Sequence, residues 1–438
     1  MAVEKAQKDV SMSALTGKVT APGDKSISHR ALIFGALAEG ETKIRGLLEG
    51  EDVLRTAGAL RALGVEIERE KEVWRVAGGK LSAPEKPLYL GNSGTGARLI
   101  MGLLAGGGLA ASLDGDLSLR SRPMGRVLEP LEMMGASAIS QDGRLPVSIV
   151  PNGQLKGIEY RSPVASAQVK SAVLIAGLFA SGVTTFYEPA PTRDHTERML
   201  AAFGASIDVS DATGGGRVVT FKGGQRLSAT EIIVPGDPSS AAFLAAAALI
   251  MPGSDITIEN VLVNPHRTGF YNTLEDMGAD VTFENERVSG GEPIADVRVR
   301  HSKLNGVNVP PERAASMIDE YPILSVVASF AKGETRFAGV GELRVKESDR
   351  LASMKTGLRA CGVNVETGDD WMRVTGGAPR GGACVATHND HRIAMSFLTM
   401  GLATKEPVTV DDTRMIATSF PDFAETIAML GGNIRQSI

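Results

Sequence analysis

DRLASMKTGLRACGVNV (349–365) carries a helix, a stop and a strand in one short stretch. Leu351, Met354, Leu358 and Cys361 fall at i, i+3, i+7 and i+10, which is one face of a helix. Gly362 suits the left-handed residue that closes a helix, and Val363 and Val365 alternate as a half-buried strand does. The design returns at EDVLRTAGALRALGVEI (51–67), GRVLEPLEMMGASAI (125–139), HTERMLAAFGASIDV (195–209), TGFYNTLEDMGADVTF (268–283) and FPDFAETIAMLGGNI (420–434). Its glycines, at 64, 135, 204, 278, 362 and 431, are spaced by 71, 69, 74, 84 and 69 residues. A unit of about 70 residues, holding strands and two helices, therefore repeats six times.

Five of the six units follow a strand signal: GETKIRG (40–46), GVTTFYE (182–188), GSDITIEN (253–260), GETRFAG (333–339) and, more loosely, KEPVTVDD (405–412). A longer symmetry lies over the units. TAPGDKSISHRALIFGALAEGETKI (20–44) is matched by VPGDPSSAAFLAAAALIMPGSDITI (234–258), displaced by 213 residues. The pattern predicts an α/β (α+β) protein of two similar lobes with three units each, 19–234 and 1–18 plus 235–438. The chain should cross between lobes near 18–21 and 233–236, and the segment MSALTGKVT (12–20) should pair as a strand with the C-terminal half.

Composition narrows the function. Of 438 residues, 43% are hydrophobic and 22% charged, which excludes disordered and fibrous classes. A net charge of −5 and an aromatic content of 5% argue against a nucleic-acid or anionic-membrane partner. Any basic groups that matter must be concentrated locally. Two cysteines make no disulfide framework, which points to a reducing cytoplasm. MAVEKAQKDV (1–10) lacks the apolar core of a signal peptide, and AAFLAAAALIM (241–251) is far shorter than the roughly 20 residues of a membrane span.

PGDKSISHR (22–30) leads a turn into a helix, so Lys25, Ser26 and Arg30 sit beside free backbone N–H groups. Either this is an anion site or it is an ordinary capped helix with basic residues. GNSGTGARL (91–99) could cradle phosphate or simply turn; neither a P-loop nor a dinucleotide fingerprint is present. Arg122 in SRPMGR (121–126), Ser166 and Gln168 in SPVASAQVKSA (162–172) and Arg193 in TRDHTE (192–197) lie at other helix starts. So do Lys346, Glu347 and Arg350 in RVKESDR (344–350) and His391 and Arg392 in NDHRIAM (389–395). Singly, each reads as a solvated face or surface ion pair. Repeats of one build can aim equivalent loops at one cleft, and then these residues meet. His388, Asp390 and His391 lack the further ligands a zinc site wants, so no metal is expected. Cys361 on its apolar stripe and Cys384 in a strand-like run read as inert, and no nucleophile elbow occurs.

PGDKSISHR, GNSGTG, RPMG, SAQVKSA, DEYPIL (319–324), RVKESDR, DHRIAM and SFPDF (419–423) resemble the signature segments of the 5-enolpyruvylshikimate-3-phosphate synthases, in family order over residues 15–435. SAQ, DEYPIL and MIATSFP are similar to the class II, glyphosate-tolerant bacterial branch. The resemblance implies three βαβαββ units in each lobe, an inside-out α/β barrel, a cytoplasmic monomer and no cofactor. It also implies a transferase reaction: shikimate 3-phosphate and phosphoenolpyruvate give 5-enolpyruvylshikimate 3-phosphate and phosphate. Lys25, Ser26, Arg30, Ser166, Gln168, Arg193, Asp319 and Lys346 would hold shikimate 3-phosphate. Lys25, Gly94, Arg122, Gln168, Arg350 and Arg392 would meet phosphoenolpyruvate. Asp319 would take the proton of the 5-hydroxyl, Glu347 would protonate the methylene carbon, and Lys25 would assist both substrates.

Some positions depart from the family pattern. Thr418 stands where the enteric branch has a lysine, Ala167 where it has a second serine, and Gly94 where a tolerant relative has alanine. The last predicts more sensitivity to the inhibitor glyphosate than alanine-bearing relatives show. The sister enzyme acting on UDP-N-acetylglucosamine needs a loop cysteine, and Leu117 in LDGDLSLRSRP (113–123) occupies that place. A non-catalytic sensor of the same phosphates would dispense with Asp319 and Glu347, which are both present.

Overall fold

The computed structural model describes residues 13–213 and 215–434. The part of the 12–20 segment at Met12, the expected lobe residues 1–12 and 435–438, and the 1–10 segment lie outside the described residues.

Six helices form the inside of the molecule: Lys25–Leu37, Gly94–Gly106 and Ala167–Gly177, then Pro238–Ile250, Tyr321–Phe330 and His391–Ala403. Beyond their first turns their sequences are largely apolar, and such a helix has little face to give to water. All of Pro238–Ile250 is buried. Asp24, Ser93, Ser166, Asp237 and Asp390 cap five of the six by accepting a first-turn N–H, so each helix begins at a fixed residue.

The amphipathic helices of the repeat lie outside them, at Glu51–Ala62, Gly125–Met133, His195–Ala202, Gly269–Asp276, Arg350–Ala360 and Phe423–Met429. After each comes its glycine with positive φ, from 83° at Gly278 to 105° at Gly135. Five of these helices run into a strand that hairpins back, as at Asn364–Thr367 and Trp371–Thr375. The sixth does not: no strand follows Gly431 among the described residues, and its sheet has only Cys384–Val385 beside Thr409–Val410. There the chain instead accepts a hydrogen bond from Thr16 N at Leu430 O, 3.0 Å.

A full unit is strand, inner helix, strand, outer helix, hairpin, with the sheet order seen in Asn308–Val309, Glu334–Ala338, Trp371–Thr375, Asn364–Thr367. Two units borrow their first strand from far along the chain. Thr16–Thr20 pairs in parallel with Asp255–Leu262, and Leu227–Ser228 and Glu231–Ile233 pair in parallel with Ala38–Arg45. The sheets remain separate and lie outside the buried inner helices, in keeping with the expected inside-out arrangement, and no closed barrel forms among the described strands. Free edges remain on each sheet because the linking segments are helices and loops.

The buried apolar side chains form two clusters. One contains Ile27 through Val234 with Leu262, and the other contains Leu15, Val19, Ala21 and residues from Ala241 to Leu430. The chain passes between them at Gly23 and Gly236, which form an antiparallel bridge. Asp24 N donates to Pro235 O at 2.7 Å and Asp237 N to Pro22 O at 2.8 Å. Val19 and Thr20 are still paired in the sheet with Ile258 and Glu259, so the first passage comes only after Thr20. Gly23 is required there: a Cβ would fall 2.0 Å from Gly46 O. Arg267 pins both passages, donating to Asp24 Oδ2 at 2.8 Å and to Asp237 Oδ1 at 3.1 Å. Among the described residues no helix is long and apolar enough to cross a membrane.

Candidate active site

The inner helices bring their first turns to one place. Lys25 N donates to Asp237 Oδ2 at 3.1 Å, Gln168 Nε2 to Thr95 Oγ1 at 2.9 Å, and Arg392 Nη1 to Asp319 O at 3.2 Å. Ser239 Oγ donates to Glu320 Oε1. Helix starts present unpaired N–H groups and the positive end of the dipole, so their meeting favours anions.

Cations line the same ground, and protein carboxylates hold them. Arg193 Nη2 lies 2.7 Å from Asp319 Oδ2, and Arg350 Nη1 lies 3.3 Å from Asp319 Oδ1. Arg350 also reaches Glu347 Oε2 at 2.5 Å and, through Nε, Asp390 Oδ2 at 2.8 Å. Arg122 Nη1 is 3.6 Å from Glu347 Oε1, and Lys25 Nζ is 3.2 Å from Asp52 Oδ2. Arg392 Nε completes the ring 4.0 Å from Asp319 Oδ1.

This crowding decides the charge state of the two central acids. Burial pushes the Asp319 carboxyl up, but Arg392, Arg193, Lys346 and Arg350 outweigh it and hold it well below the usual range. Burial likewise opposes Arg350, Arg122 and Lys25 at Glu347, and again the cations win. Both acids are ionised at neutral pH. Lys346 moves the other way: burial lowers its ammonium, with Asp319 opposing. His391 stays neutral because burial, then Arg392 and Lys25, hold it well below its ordinary value.

The remaining expected residues stand one layer back or wait at a helix start. Arg30 is almost fully buried, donating to Thr196 Oγ1 at 2.7 Å, Ser26 O at 2.8 Å and Ser171 Oγ at 2.6 Å. Burial lowers it to about 10, so it keeps its charge at neutral pH. Ser166 caps its helix at Val169 N, 3.4 Å. Gln168 Oε1 accepts from Arg98 Nη1 at 2.9 Å. Gly94 opens its helix beneath two guanidiniums: a Cβ there would lie 2.9 Å from Arg122 Nη1 and 3.0 Å from Arg98 Nη1.

Sequence reading missed Arg98 and Asp52, and it weighed Asp390 only as a metal ligand and not as a partner of Arg350. Arg98 had a signal, since it lies four residues after Gly94 on the same helix and donates to Gly94 O at 3.2 Å. Asp52 and Asp390 had none, because their partners lie 27 and 40 residues away. Thr418 contributes no cation; its hydroxyl donates to Met415 O at 2.7 Å. Asp390 spends its oxygens on Arg350, Ser348 and the N–H of Arg392, so it has little left for a metal beside His388 and His391. Asp194, His195 and Glu292 lie close enough together to hold an ion, but Asn264 Nδ2 already donates to Asp194 Oδ1 at 2.7 Å and Glu292 Oε2 at 2.8 Å.

The model of the EPSP synthase (3-phosphoshikimate 1-carboxyvinyltransferase) family matches residues 10–427. The chain belongs to that family. A 3-phosphoshikimate 1-carboxyvinyltransferase of Parvibaculum lavamentivorans is 59% identical over 427 residues, covering 96% of this chain and 95% of the relative. One from Pseudomonas sp. (strain PG2982) is 56% identical over 97% of this chain and 96% of its own. Among solved structures, EPSP synthase from Acinetobacter baumannii superposes with a TM-score of 0.85 at 46% identity, over 96% of this chain and 97% of that one. The enolpyruvyl transferase NikO from Streptomyces tendae shares the fold at a TM-score of 0.75 and 18% identity, over 97% of this chain and 96% of its own. Within the family's frame, Leu117 is 84% exposed and opens a short helix whose Ser118 Oγ donates to Glu347 O at 3.3 Å.

Proposed function

We propose that this cleft moves the enolpyruvyl group of phosphoenolpyruvate onto the 5-hydroxyl of shikimate 3-phosphate and releases phosphate, a step of aromatic amino-acid biosynthesis. One observation carries the residue assignment: two ionised carboxylates, Asp319 and Glu347, share one buried arginine, Arg350, amid cations from both halves of the chain. Two substrates that each bear a phosphate and a carboxylate need such a cleft, and anions of that kind compete with protein carboxylates for guanidinium.

In this reading Lys25, Ser26, Arg30, Ser166, Gln168, Arg193 and Lys346 hold shikimate 3-phosphate. Lys25, Gly94, Arg122, Gln168, Arg350 and Arg392 hold phosphoenolpyruvate. Asp319 accepts the proton of the 5-hydroxyl as that oxygen attacks the substituted vinyl carbon. Glu347, having taken up a proton as phosphoenolpyruvate binds, delivers it to the methylene carbon and makes it a methyl; the tetrahedral adduct then loses phosphate, and a methyl proton returns to Glu347 as the double bond is restored. Bringing lobes 19–234 and 1–18 plus 235–438 together excludes water and assembles these groups. The SAQ and DEYPIL segments support placement in the class II branch, the low cysteine count supports a cytoplasmic enzyme, and the family resemblance supports a monomer. Glyphosate is proposed to occupy the phosphoenolpyruvate pocket.

Phosphate release with both substrates tests the activity, and UDP-N-acetylglucosamine in place of shikimate 3-phosphate tests the sister reaction. Asp319→Asn keeps shape but cannot accept the proton, so turnover should fall about 10²–10⁴-fold while shikimate 3-phosphate still binds. Near-normal turnover would remove Asp319 from the mechanism.

A further inference from the structure

Residues 192–198 place their side chains in different directions, and each finds a partner. Thr192 Oγ1 donates to Glu188 Oε2 at 2.7 Å, Thr196 receives Arg30, and Glu197 Oε1 lies 2.6 Å from Lys170 Nζ. Those contacts stay among residues of the 27–234 core. Asp194, His195 and Arg198 face the other side. His195 Nδ1 is 2.8 Å from Glu292 Oε1, Arg198 Nη1 donates to Gly291 O at 2.9 Å, and Arg198 Nε donates to Asp194 Oδ2 at 2.9 Å.

At the centre of this joint is Asn264, fully buried, whose single amide nitrogen bridges Asp194 Oδ1 and Glu292 Oε2. Glu292 and His195 are buried as well. Two carboxylates that close would repel without a donor between them, and an amide supplies two N–H groups with no added charge. Burial pushes the Asp194 carboxyl up, and the Asn264 hydrogen bond with Arg198 reverses the shift. Arg193 is the residue immediately before Asp194, and its guanidinium crosses to Asp319.

With Arg193 read as a ligand of shikimate 3-phosphate, we propose that Asn264 is a positioning residue that seats Asp194 against Glu292 and thereby aims Arg193 into the cleft. It touches neither substrate. Its loss should therefore weaken the substrate that Arg193 holds and spare the other.

Wild-type phosphate release separates the two readings, since an inactive wild type overturns enolpyruvyl transfer and this role together. With an active wild type, Asn264→Asp places a third carboxylate in the joint, and Asn264→Ser removes the bridge without adding charge and stands in if the first variant does not fold. Either should raise KM for shikimate 3-phosphate about tenfold while KM for phosphoenolpyruvate changes less than about twofold. In an Arg193→Ala background, Asn264→Ser should add less than about twofold, because the group it aims is gone. Equal rises in both KM values, unchanged KM values, or full additivity with Arg193→Ala would overturn the proposal.

Discussion

Glu347 lies 2.5 Å from Arg350 and 3.6 Å from Arg122, and these charges keep it ionised although its proposed task is to deliver a proton. Phosphoenolpyruvate would draw both guanidiniums to its own anionic groups and add negative charge beside the carboxyl, and both changes raise a carboxyl pKa. Binding phosphoenolpyruvate to the shikimate 3-phosphate complex should thus take up a proton near neutral pH. Calorimetry in buffers of differing ionisation enthalpy reads that proton, and Glu347→Gln should abolish it; uptake that survives would locate the proton elsewhere. Gly94 poses a neighbouring question. Glyphosate is longer than phosphoenolpyruvate, so the methyl of Gly94→Ala should raise the inhibition constant much more than KM for phosphoenolpyruvate. That methyl would also come closer than van der Waals contact to Arg122 and Arg98, so their guanidiniums would have to shift. An equal rise in both constants would show that it displaces Arg122 instead of crowding the inhibitor.

The repeat can be tested through the glycines that close its outer helices. Gly204 has φ of 91°, and a Cβ there would meet nothing within 4 Å. Gly204→Ala should cost roughly 1–2 kcal/mol through the backbone alone, lowering the denaturant midpoint while both KM values hold. Such closing residues were legible in the sequence because a left-handed turn is a local requirement. The sixth hairpin was expected and is missing among the described residues, since Asn433 and Ile434 follow Gly431 without a paired strand. The two-residue strands Leu88–Tyr89 and Leu227–Ser228 are too short to show alternation. Loop positions of the expected site residues could be read from where each helix begins. Arg98 with Gln168, Lys25 with Asp52, and Asn264 with Asp194 could not, because those pairs exist only once distant units pack.

Across the whole molecule, the cleft is spanned by Arg193 with Asp319 and by Arg122 with Glu347. Shikimate 3-phosphate, with proposed ligands on both lobes, should favour the closed arrangement by its differential affinity. Solution scattering should show a smaller radius of gyration when it is added, and an unchanged radius would sink the idea. The strand Thr16–Thr20 has a different kind of consequence. Leu15 N is bonded to Ser254 Oγ at a separation of 239 residues, and the strand's pairing partner begins at Asp255. A ribosome adds about 5–20 residues each second, so this strand emerges roughly 10–50 s before its partner has been made. In that interval the core from Ile27 to Val234 can collapse, for it uses no side chain from the strand. The waiting segment meanwhile offers little to a wrong neighbour: only Val19 is buried in the finished sheet, and Gly17 and Lys18 discourage chance pairing at an open edge.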